Sequence, residues 1–345
     1  MRLSIALATR HLEPLLAITR AAEEEGLDRI WTTEGFGGDA LLRSGHLLAH
    51  TERIGVGTGI AYAFTRAPLA VAMAAADLAE LSGGRFTLGL GAGTRGVRVK
   101  RFDVEYDHPA PRTAEYVELV RAALRSETGL RFDGRYYHAD FPQLDLPQSV
   151  ELRRGIEIYG AALNPAMLRA AARSCDGIAL HSLGTAPAYL RDVVAAQVAG
   201  SEARIAAWKI CVVDRDPAVA ADAVRRQLAF YFSTPSYHSV LAGSPWLEAA
   251  VRMQQLAAEL RFRDWEPVAR LVPDDMVAAF SIAGDEAACA DQIIATAGRF
   301  AAAGIDELVL QLTTGQTPEE TRHNGLALAR AAGLARARMA HPTRR

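Results

Sequence analysis

The sequence predicts a (β/α)8 TIM barrel with insertions, and three observations favour this fold class. Short apolar segments alternate with helical segments along the chain, and eight of the apolar segments have the composition of strands. Neither face of these strands is consistently polar, which is typical of parallel strands buried on both sides. The chain has 345 residues, half of them hydrophobic, which is sufficient for a barrel of this kind. A doubly wound open sheet would fit the same alternation, because a sequence does not show a topological switch point.

The first two strand–helix units occupy the N-terminal 50 residues. We predict strands at 3–9 and 29–33 and helices at 14–25 and 39–48. Gly26 would end the first helix, and Asp39 would cap the second at its N-terminus. The second strand ends at Glu34 and is followed by a glycine-rich segment at 35–38, which we expect to be flexible.

The central segment at 53–93 is interpreted as strand, Ala-rich helix and strand. The helix spans 69–81, and Ser82-Gly83-Gly84 would end it in a tight turn. Both strands end in glycines, which allow a planar or phosphorylated ligand to approach the bare main chain. This pattern predicts a ligand site at the ends of the two strands.

The remaining strands are spread over the C-terminal two thirds of the chain and are interrupted by two insertions. The insertions are predicted at about 94–154 and 235–284, the first beginning with a charged, irregular stretch at 94–111. We expect them to form loops over one mouth of the fold, since long loops in compact domains are usually functional. Strands are predicted at 156–160, 177–181, 205–213 and 307–312, and helices at 114–124, 165–173, 187–199, from 217 onward, at 286–303 and at 318–332. A single domain would cover 1–335, followed by a frayed basic tail at 336–345.

Composition and charge limit the possible functions. The formal net charge is -2, which argues against nucleic acid or an anionic membrane as the main partner. No apolar run is suited to span a bilayer, and the N-terminus has no signal-peptide pattern. Cys175, Cys211 and Cys289 are isolated and lack metal-site spacing, so we interpret them as buried thiols in a cytoplasmic protein. A small-molecule substrate is the expected partner.

The central segment resembles the signature of the bacterial-luciferase-like oxidoreductases. The resemblance rests on Arg66-x-Pro68, the run Asp77-Leu78-Ala79-Glu80-Leu81-Ser82-Gly83-Gly84-Arg85, and Gly89-Leu90-Gly91-Ala92-Gly93. The strand end Gly57-Thr58-Gly59-Ile60 resembles the branch that uses the deazaflavin coenzyme F420. The resemblance implies an insertion-bearing (β/α)8 barrel, a homodimer, and hydride transfer between coenzyme F420 and a small organic substrate. An FMN-dependent monooxygenase of the same superfamily, using reduced flavin and oxygen, is the alternative.

The same resemblance implies which residues bind the cofactor. A non-prolyl cis peptide between Gly59 and Ile60 would press the main chain against the back of the ring. The loop under the ring would be formed by Gly91, Ala92, Gly93 and Thr94. The phosphate site would be formed by Ala161, Ala162, Leu163 and Asn164, just before a predicted helix. A helix N-terminus attracts phosphate, although Asn164 also suits a simple helix cap, and both can hold. Arg66, Arg95 and Lys100 are candidates to neutralise an acidic cofactor tail.

Two proton donors common in this branch are absent from the chain. Gly35 stands where a histidine would follow the acid of the second strand, and Thr94 stands where an acid would follow the fourth-strand glycines. The catalytic candidates are therefore Glu34 and His181, which end strands, since barrel enzymes place catalytic groups there. His138, on the first insertion, is a third candidate, whereas Trp208, Lys209 and Cys211 receive no role.

Two functions outside this chemistry remain open from the sequence. A non-redox barrel enzyme could bind a phosphorylated metabolite at the same strand ends. A non-catalytic flavin-binding protein would be consistent with the missing histidine. Affinity for the reduced cofactors, followed by turnover, distinguishes these alternatives.

Overall fold

The fold is a closed eight-stranded parallel barrel, as predicted, in a computed structural model that describes residues 1–35, 38–313 and 317–341. The strands are β1 Arg2–Leu7, β2 Arg29–Thr32, β3 Gly55–Thr58, β4 Ala61–Tyr62, β5 Phe86–Gly91, β6 Leu130–Asp133, β7 His138–Phe141, β8 Glu157–Ala162, β9 Gly177–Leu180, β10 Arg204–Val213, β11 Ser281–Gly284 and β12 Glu307–Leu312. The barrel runs β1–β2–β3–β5–β8–β9–β10–β12 and closes where β12 pairs with β1. The short strands β4 and β11 add to β5 and β10.

Helices surround the barrel and cover its outer face. They are α1 Leu12–Glu24, α2 Ala40–Leu48, α3 Pro68–Ser82, α4 Arg95–Phe102, α5 Pro109–Arg125, α6 Val150–Arg154, α7 Pro165–Ser174, α8 Pro187–Tyr189, α9 Ala195–Val198, α10 Pro217–Phe232, α11 Leu247–Glu259, α12 Glu266–Ala269, α13 Asp274–Phe280, α14 Glu286–Ala302 and α15 Pro318–Ala340. A turn of π-helix, Leu190–Val194, joins α8 to α9. Asp39 caps α2 as predicted, accepting from the Leu42 N–H. Part of the predicted flexible segment, 36–37, lies outside the described residues.

Trp31 of β2 fills the middle of the barrel, and small residues on the neighbouring strands make room for it. Its ring centroid lies 5.3 Å from that of Tyr159 and 5.2 Å from that of Trp208. A Cβ atom added at Gly57 would lie 2.8 Å from the Trp31 ring, closer than van der Waals contact allows. Gly57 of β3 is therefore required by packing against Trp31.

Charged side chains close the N-terminal mouth of the barrel. Arg29 pairs with Glu307 at 3.0 Å and with Glu157 at 3.2 Å, and Arg204 also pairs with Glu157. The Trp31 indole N–H donates to the Glu307 carboxylate at 2.7 Å. The network ties β2, β8, β10 and β12 together at the end of the barrel that usually supports stability rather than catalysis.

The two insertions contain more regular structure than expected. The prediction of an irregular stretch at 94–111 is wrong over Arg95–Phe102, which forms α4, and from Pro109, where α5 begins. The first insertion also contains an antiparallel hairpin of β6 and β7. The Glu115 carboxylate of α5 accepts hydrogen bonds from three main-chain amides of this hairpin's turn, at 2.6–3.0 Å. The second insertion contains α11, α12 and α13, and near its end β11 pairs with β10.

The last helix is longer than the sequence suggested. The prediction of a frayed tail from Arg336 is wrong up to Ala340, because α15 continues to that residue. Arg336 pairs with Asp28 at 2.6 Å, and Ala335 beside it is fully buried. Residues 342–345 of the predicted tail lie outside the described part of the chain.

Candidate active site

A bulge between β3 and β4 forms one wall of the C-terminal mouth. Its Gly59–Ile60 peptide is cis, as the sequence resemblance implied. The end of β2 holds it at several points. Gly59 N–H donates to the Thr32 carbonyl at 2.6 Å, and the Ile60 carbonyl accepts from Glu34 N–H at 3.0 Å. The Glu34 carboxylate accepts from Tyr62 N–H at 2.6 Å.

Neighbouring strand ends meet closely at this bulge, and the side chains there leave no room for a side chain at Gly91. A Cβ atom added at Gly91 would lie 2.8 Å from the Ala161 Cβ and 2.9 Å from the Ile60 Cδ1. Gly93 has a φ of +67°, a conformation that favours glycine, and an added Cβ would lie 2.9 Å from the Tyr62 ring. Three of the predicted cofactor residues, Ile60, Gly91 and Ala161, are thus brought together, and Gly93 adjoins them through Tyr62.

The N-terminus of α7 follows directly from β8 and carries the predicted phosphate-binding residues. The Asn164 side-chain oxygen accepts from Met167 N–H at 3.0 Å. Asn164 therefore caps the helix, which was one of our two interpretations of this residue. The Leu163 carbonyl accepts from the Tyr189 hydroxyl at 2.7 Å. Pro165 occupies the first helical position, and the first turn is exposed to solvent. A phosphate can therefore reach the positive end of this helix.

The Glu34 side chain contacts the bulge and Arg66, and its catalytic role stays a prediction. Its side chain is only 6% exposed. Arg66 donates to both of its carboxylate oxygens, at 3.0 Å and 2.5 Å, and also pairs with Asp39 at 2.5 Å. Because Arg66 is engaged by two carboxylates, this geometry does not favour our suggestion that it neutralises a cofactor tail. Arg95 and Lys100 are exposed on α4, and their suggested role stays a prediction.

His181 lies at the end of β9 and has aromatic rings on two sides. Its ring stacks on Tyr237 with centroids 5.1 Å apart and meets the edge of Tyr231 at 4.8 Å. Its Nδ1 accepts a hydrogen bond from Leu183 N–H at 3.2 Å. Burial lowers the pKa of His181 to about 4. At neutral pH the ring is therefore neutral, and since Nδ1 is an acceptor, the proton sits on Nε2.

Three further residues around His181 were not predicted from the sequence. Tyr231 comes from α10, Tyr237 comes from the 3-10 helix Pro235–Leu241, and Gln311 comes from β12. The Gln311 amide donates to the Tyr231 hydroxyl at 2.6 Å. The polar Gln311 within an otherwise apolar strand was a usable signal, whereas nothing in the sequence ties the tyrosines to His181. His138, the remaining candidate, lies on the exposed hairpin, where its Nδ1 is 2.7 Å from the Asp133 carboxylate.

A cavity of about 600 Å³ opens beside Glu34. Its lining comprises Arg10, Glu34, Gly35, Gly38, Asp39, Arg66, Arg101 and Phe102. This volume suits a small organic molecule. In the described parts of the chain, the acidic, histidine and cysteine side chains form no group of three or more that could hold a metal ion. No helix of the same residues is long and apolar enough to cross a membrane.

The family model of the luciferase-like monooxygenases matches residues 1–304. The chain belongs to this family. An uncharacterized protein of Mycobacterium tuberculosis is 33% identical over 282 residues, covering 76% of this chain and 81% of that protein. A 5,10-methylenetetrahydromethanopterin reductase of Archaeoglobus fulgidus is 28% identical over 299 residues, covering 84% and 86%. Family membership, together with the reductase relative, supports an oxidoreductase.

Solved structures of the family share the fold along nearly the whole chain. A coenzyme F420-dependent tetrahydromethanopterin reductase from Methanopyrus kandleri superposes with a TM-score of 0.77 at 23% identity, covering 96% of this chain and 97% of that one. A monooxygenase from Streptomyces bottropensis gives a TM-score of 0.66 at 20% identity, covering 95% and 98%. At these identities the likeness shows a shared fold and does not identify the cofactor.

Proposed function

We propose that the protein is a coenzyme F420-dependent oxidoreductase that transfers a hydride between the deazaflavin and a small organic substrate. The observation that carries this proposal is the meeting of three adjacent strand ends at Ile60, Gly91 and Ala161, where Ile60 and Ala161 are partly accessible. Such a surface fits a flat ring, and the nearby N-terminus of α7 fits a phosphate group. The 28% identity to a methylenetetrahydromethanopterin reductase over most of the chain gives further support.

Each part of the site has a distinct task in this proposal. When bound, the deazaflavin supplies the hydride or accepts it. Gly59 and Ile60 would hold the ring from the side of the bulge, and Gly91, Ala92, Gly93 and Thr94 would form the loop that holds it from the neighbouring strand end. Asn164 keeps the first turn of α7 in place by accepting from Met167 N–H, and the Ala166 N–H and the positive end of the helix would hold the phosphate.

The substrate would bind between the ring site and the end of β9, where His181 would hold its reacting oxygen. The neutral His181 donates a hydrogen bond from Nε2 to this oxygen, and the tyrosines around the ring exclude water from it. Glu34 acts as a positioning residue through its bonds to Tyr62 and Arg66. The homodimer implied by the sequence resemblance also remains our proposal, and light scattering of the purified protein tests it.

Anaerobic titration with reduced coenzyme F420 and, separately, reduced FMN tests the cofactor assignment. We expect tight binding of coenzyme F420 and much weaker binding of FMN. Tight binding of FMN without binding of coenzyme F420 would instead favour the monooxygenase, and turnover without a redox cofactor would favour a non-redox enzyme. Cofactor binding without turnover over a broad substrate panel would favour a non-catalytic flavin-binding protein.

An Ala161→Leu variant tests the ring position directly. Ala161 is partly accessible at the meeting point of Ile60 and Gly91, so a leucine there would occupy the ring site. We expect the Kd for coenzyme F420 to rise about tenfold or more, since overpacking costs about 1–3 kcal/mol. Ala303→Leu, at an exposed position after α14, is the matched control and should bind as the parent protein does. Unchanged cofactor affinity in Ala161→Leu, with the fold intact by circular dichroism, would contradict the proposal.

A further inference from the structure

The guanidinium of Arg98 in α4 is buried without a hydrogen-bond partner. The residue has 0% exposed surface. Within 1–35, 38–313 and 317–341, none of its three side-chain nitrogens finds a partner. A buried charge is normally paired, because removing it from water without compensation is costly. A residue that keeps this arrangement needs an explanation beyond packing.

A second arginine nearby increases the free-energy cost of burying the Arg98 charge. Arg98 and Arg112 both lie against the ring of Phe64, with guanidinium carbons 4.7 Å and 4.6 Å from its centroid. Arg112 donates to the Tyr137 hydroxyl at 3.2 Å and to the Glu105 carbonyl at 3.3 Å, both of them uncharged acceptors. Burial, followed by the charge of Arg112, lowers the pKa of Arg98, but an arginine remains charged at neutral pH.

Phenol groups surround the two cations, and no carboxylate among the described residues makes an ion pair with either of them. The groups that face Arg98 electrostatically are Arg112 and the side chains of Tyr62, Tyr106 and Tyr137. The two guanidinium groups only donate, and the Tyr137 hydroxyl, which accepts from Arg112, still has its own proton to donate, so this set suits an oxyanion. The aromatic faces give only weak compensation for a cation.

This cluster adjoins the proposed cofactor site. Tyr62 follows the bulge by two residues and contacts Gly93 of the cofactor loop. The Tyr106 hydroxyl donates to the Gly93 carbonyl at 3.1 Å. A Cβ atom added at Gly93 would lie 3.4 Å from the Arg98 Cδ. A small molecule bound at the mouth could therefore extend an anionic group towards the two arginines.

We propose that Arg98 and Arg112 form an internal binding site for an oxyanion, the carboxylate or phosphate group of a small molecule. The planar guanidinium fork matches either group with two parallel hydrogen bonds. The anion belongs either to the substrate or to the acidic side chain of the cofactor. The assignment of its source rests on the proposed function, whereas the oxyanion site itself does not. Because Arg98 has no accessible surface, the anion reaches it only after a covering segment is displaced.

The first test uses the full chain without cofactor. Thermal unfolding and calorimetric titration are measured with sodium phosphate and with sodium acetate, against sodium chloride at equal ionic strength. We expect one or both oxyanions to raise the unfolding midpoint by a few degrees, because a ligand that binds only the folded state stabilises it. Arg98→Met should abolish this response and should itself raise the midpoint in chloride, since it removes an uncompensated buried charge.

Matched variants separate the site from general charge effects. Arg125→Met removes an exposed charge from α5, the helix of Arg112, and should keep the full oxyanion response. Arg112→Met should weaken the response and serves as the test should Arg98→Met fail to fold. A parent protein that responds to neither oxyanion, or an Arg98→Met protein that responds as the parent does, would overturn the proposal.

The source of the anion is found in a second step. A large rise in the Kd for coenzyme F420 in Arg98→Met would identify the cofactor's acidic side chain. An unchanged Kd, with a raised KM for anionic but not for neutral substrates, would identify the substrate. The oxyanion response of the cofactor-free protein is independent of both results. If coenzyme F420 proved not to be the cofactor, the oxyanion site of Arg98 and Arg112 could still be tested in the cofactor-free protein.

Discussion

His181 illustrates how burial changes the chemistry available to a single side chain. A solvent-exposed histidine is half protonated near pH 6.5 and can act as an acid at neutral pH. In this protein, burial brings the pKa of His181 down to about 4, and Nδ1 already accepts a hydrogen bond. What remains is a neutral ring whose Nε2–H can donate to a substrate oxygen.

The lowered pKa of His181 predicts a stability that depends on pH. Between about pH 6.5 and about pH 4 the unfolded chain binds a proton at this residue, while the folded chain does not. The free energy of unfolding should therefore fall as the pH falls through this window, by up to about 3 kcal/mol. The His181→Asn variant should lack this component. Urea unfolding at several pH values measures it.

His11→Asn, at an exposed position, is the control for this measurement and should keep the pH dependence of the parent protein. If His181→Asn and the parent lose the same stability between pH 6.5 and pH 4, His181 does not titrate as described.

At the scale of elements, the bulge between β3 and β4 depends on the end of β2. Glu34 contributes its main-chain N–H to the Ile60 carbonyl and its carboxylate to Tyr62 N–H. Two adjacent strand ends are thereby linked at the proposed ring site. The carboxylate also pairs with Arg66, which immediately precedes α3.

Glu34→Gln tests whether this link is positional or catalytic. A positional role predicts a raised Kd for the cofactor and a pH–rate profile of unchanged shape, because no titrating catalytic group has been removed. We expect a loss of stability of about 1–3 kcal/mol, since Arg66 loses one of its two charged partners. Stopped-flow rates over a range of pH decide the question. The disappearance of one limb of the profile would show that Glu34 is the acid or base.

Several elements of the site could be predicted from the sequence because their signals are local. The glycines that end β3 and β5, and Asn164 before Pro165, mark the rim through main-chain geometry alone. The environments of His181 and Arg98 depend on residues distant in the chain. Tyr231 and Tyr237 are about 50 residues from His181, and the basic sequence of α4 gave no reason to expect a buried arginine.

Packing between distant segments also explains the difference at the C-terminus. The arginine-rich sequence after 335 resembles a solvated tail when it is considered alone. In the folded protein Arg336 pairs with Asp28, and that pair fixes the last turns of α15 against the start of β2. A sequence pattern does not contain this contact, because it joins residues 308 positions apart.

At the scale of the whole molecule, the two ends of the barrel have different tasks. The N-terminal mouth is closed by the ion pairs of Arg29, Glu157 and Glu307, which join strands from opposite ends of the chain. The C-terminal mouth carries the cis Gly59–Ile60 bulge, the strand ends at Gly91 and Ala161, and His181. This division predicts that changes at the closed mouth alter stability and leave the chemistry unchanged.

Glu307→Gln tests this division. The Glu307 side chain is almost fully buried and bonds both Arg29 and Trp31. Removing its charge should lower the free energy of unfolding by about 3 kcal/mol, because breaking a buried pair leaves an uncompensated charge. Arg338→Met, which breaks the exposed pair with Asp291 at 2.7 Å, should cost less than about 1 kcal/mol. Denaturant unfolding gives both values. Cofactor titration should give the parent Kd for both variants, and a raised Kd in Glu307→Gln at full folding would show that the two mouths are coupled.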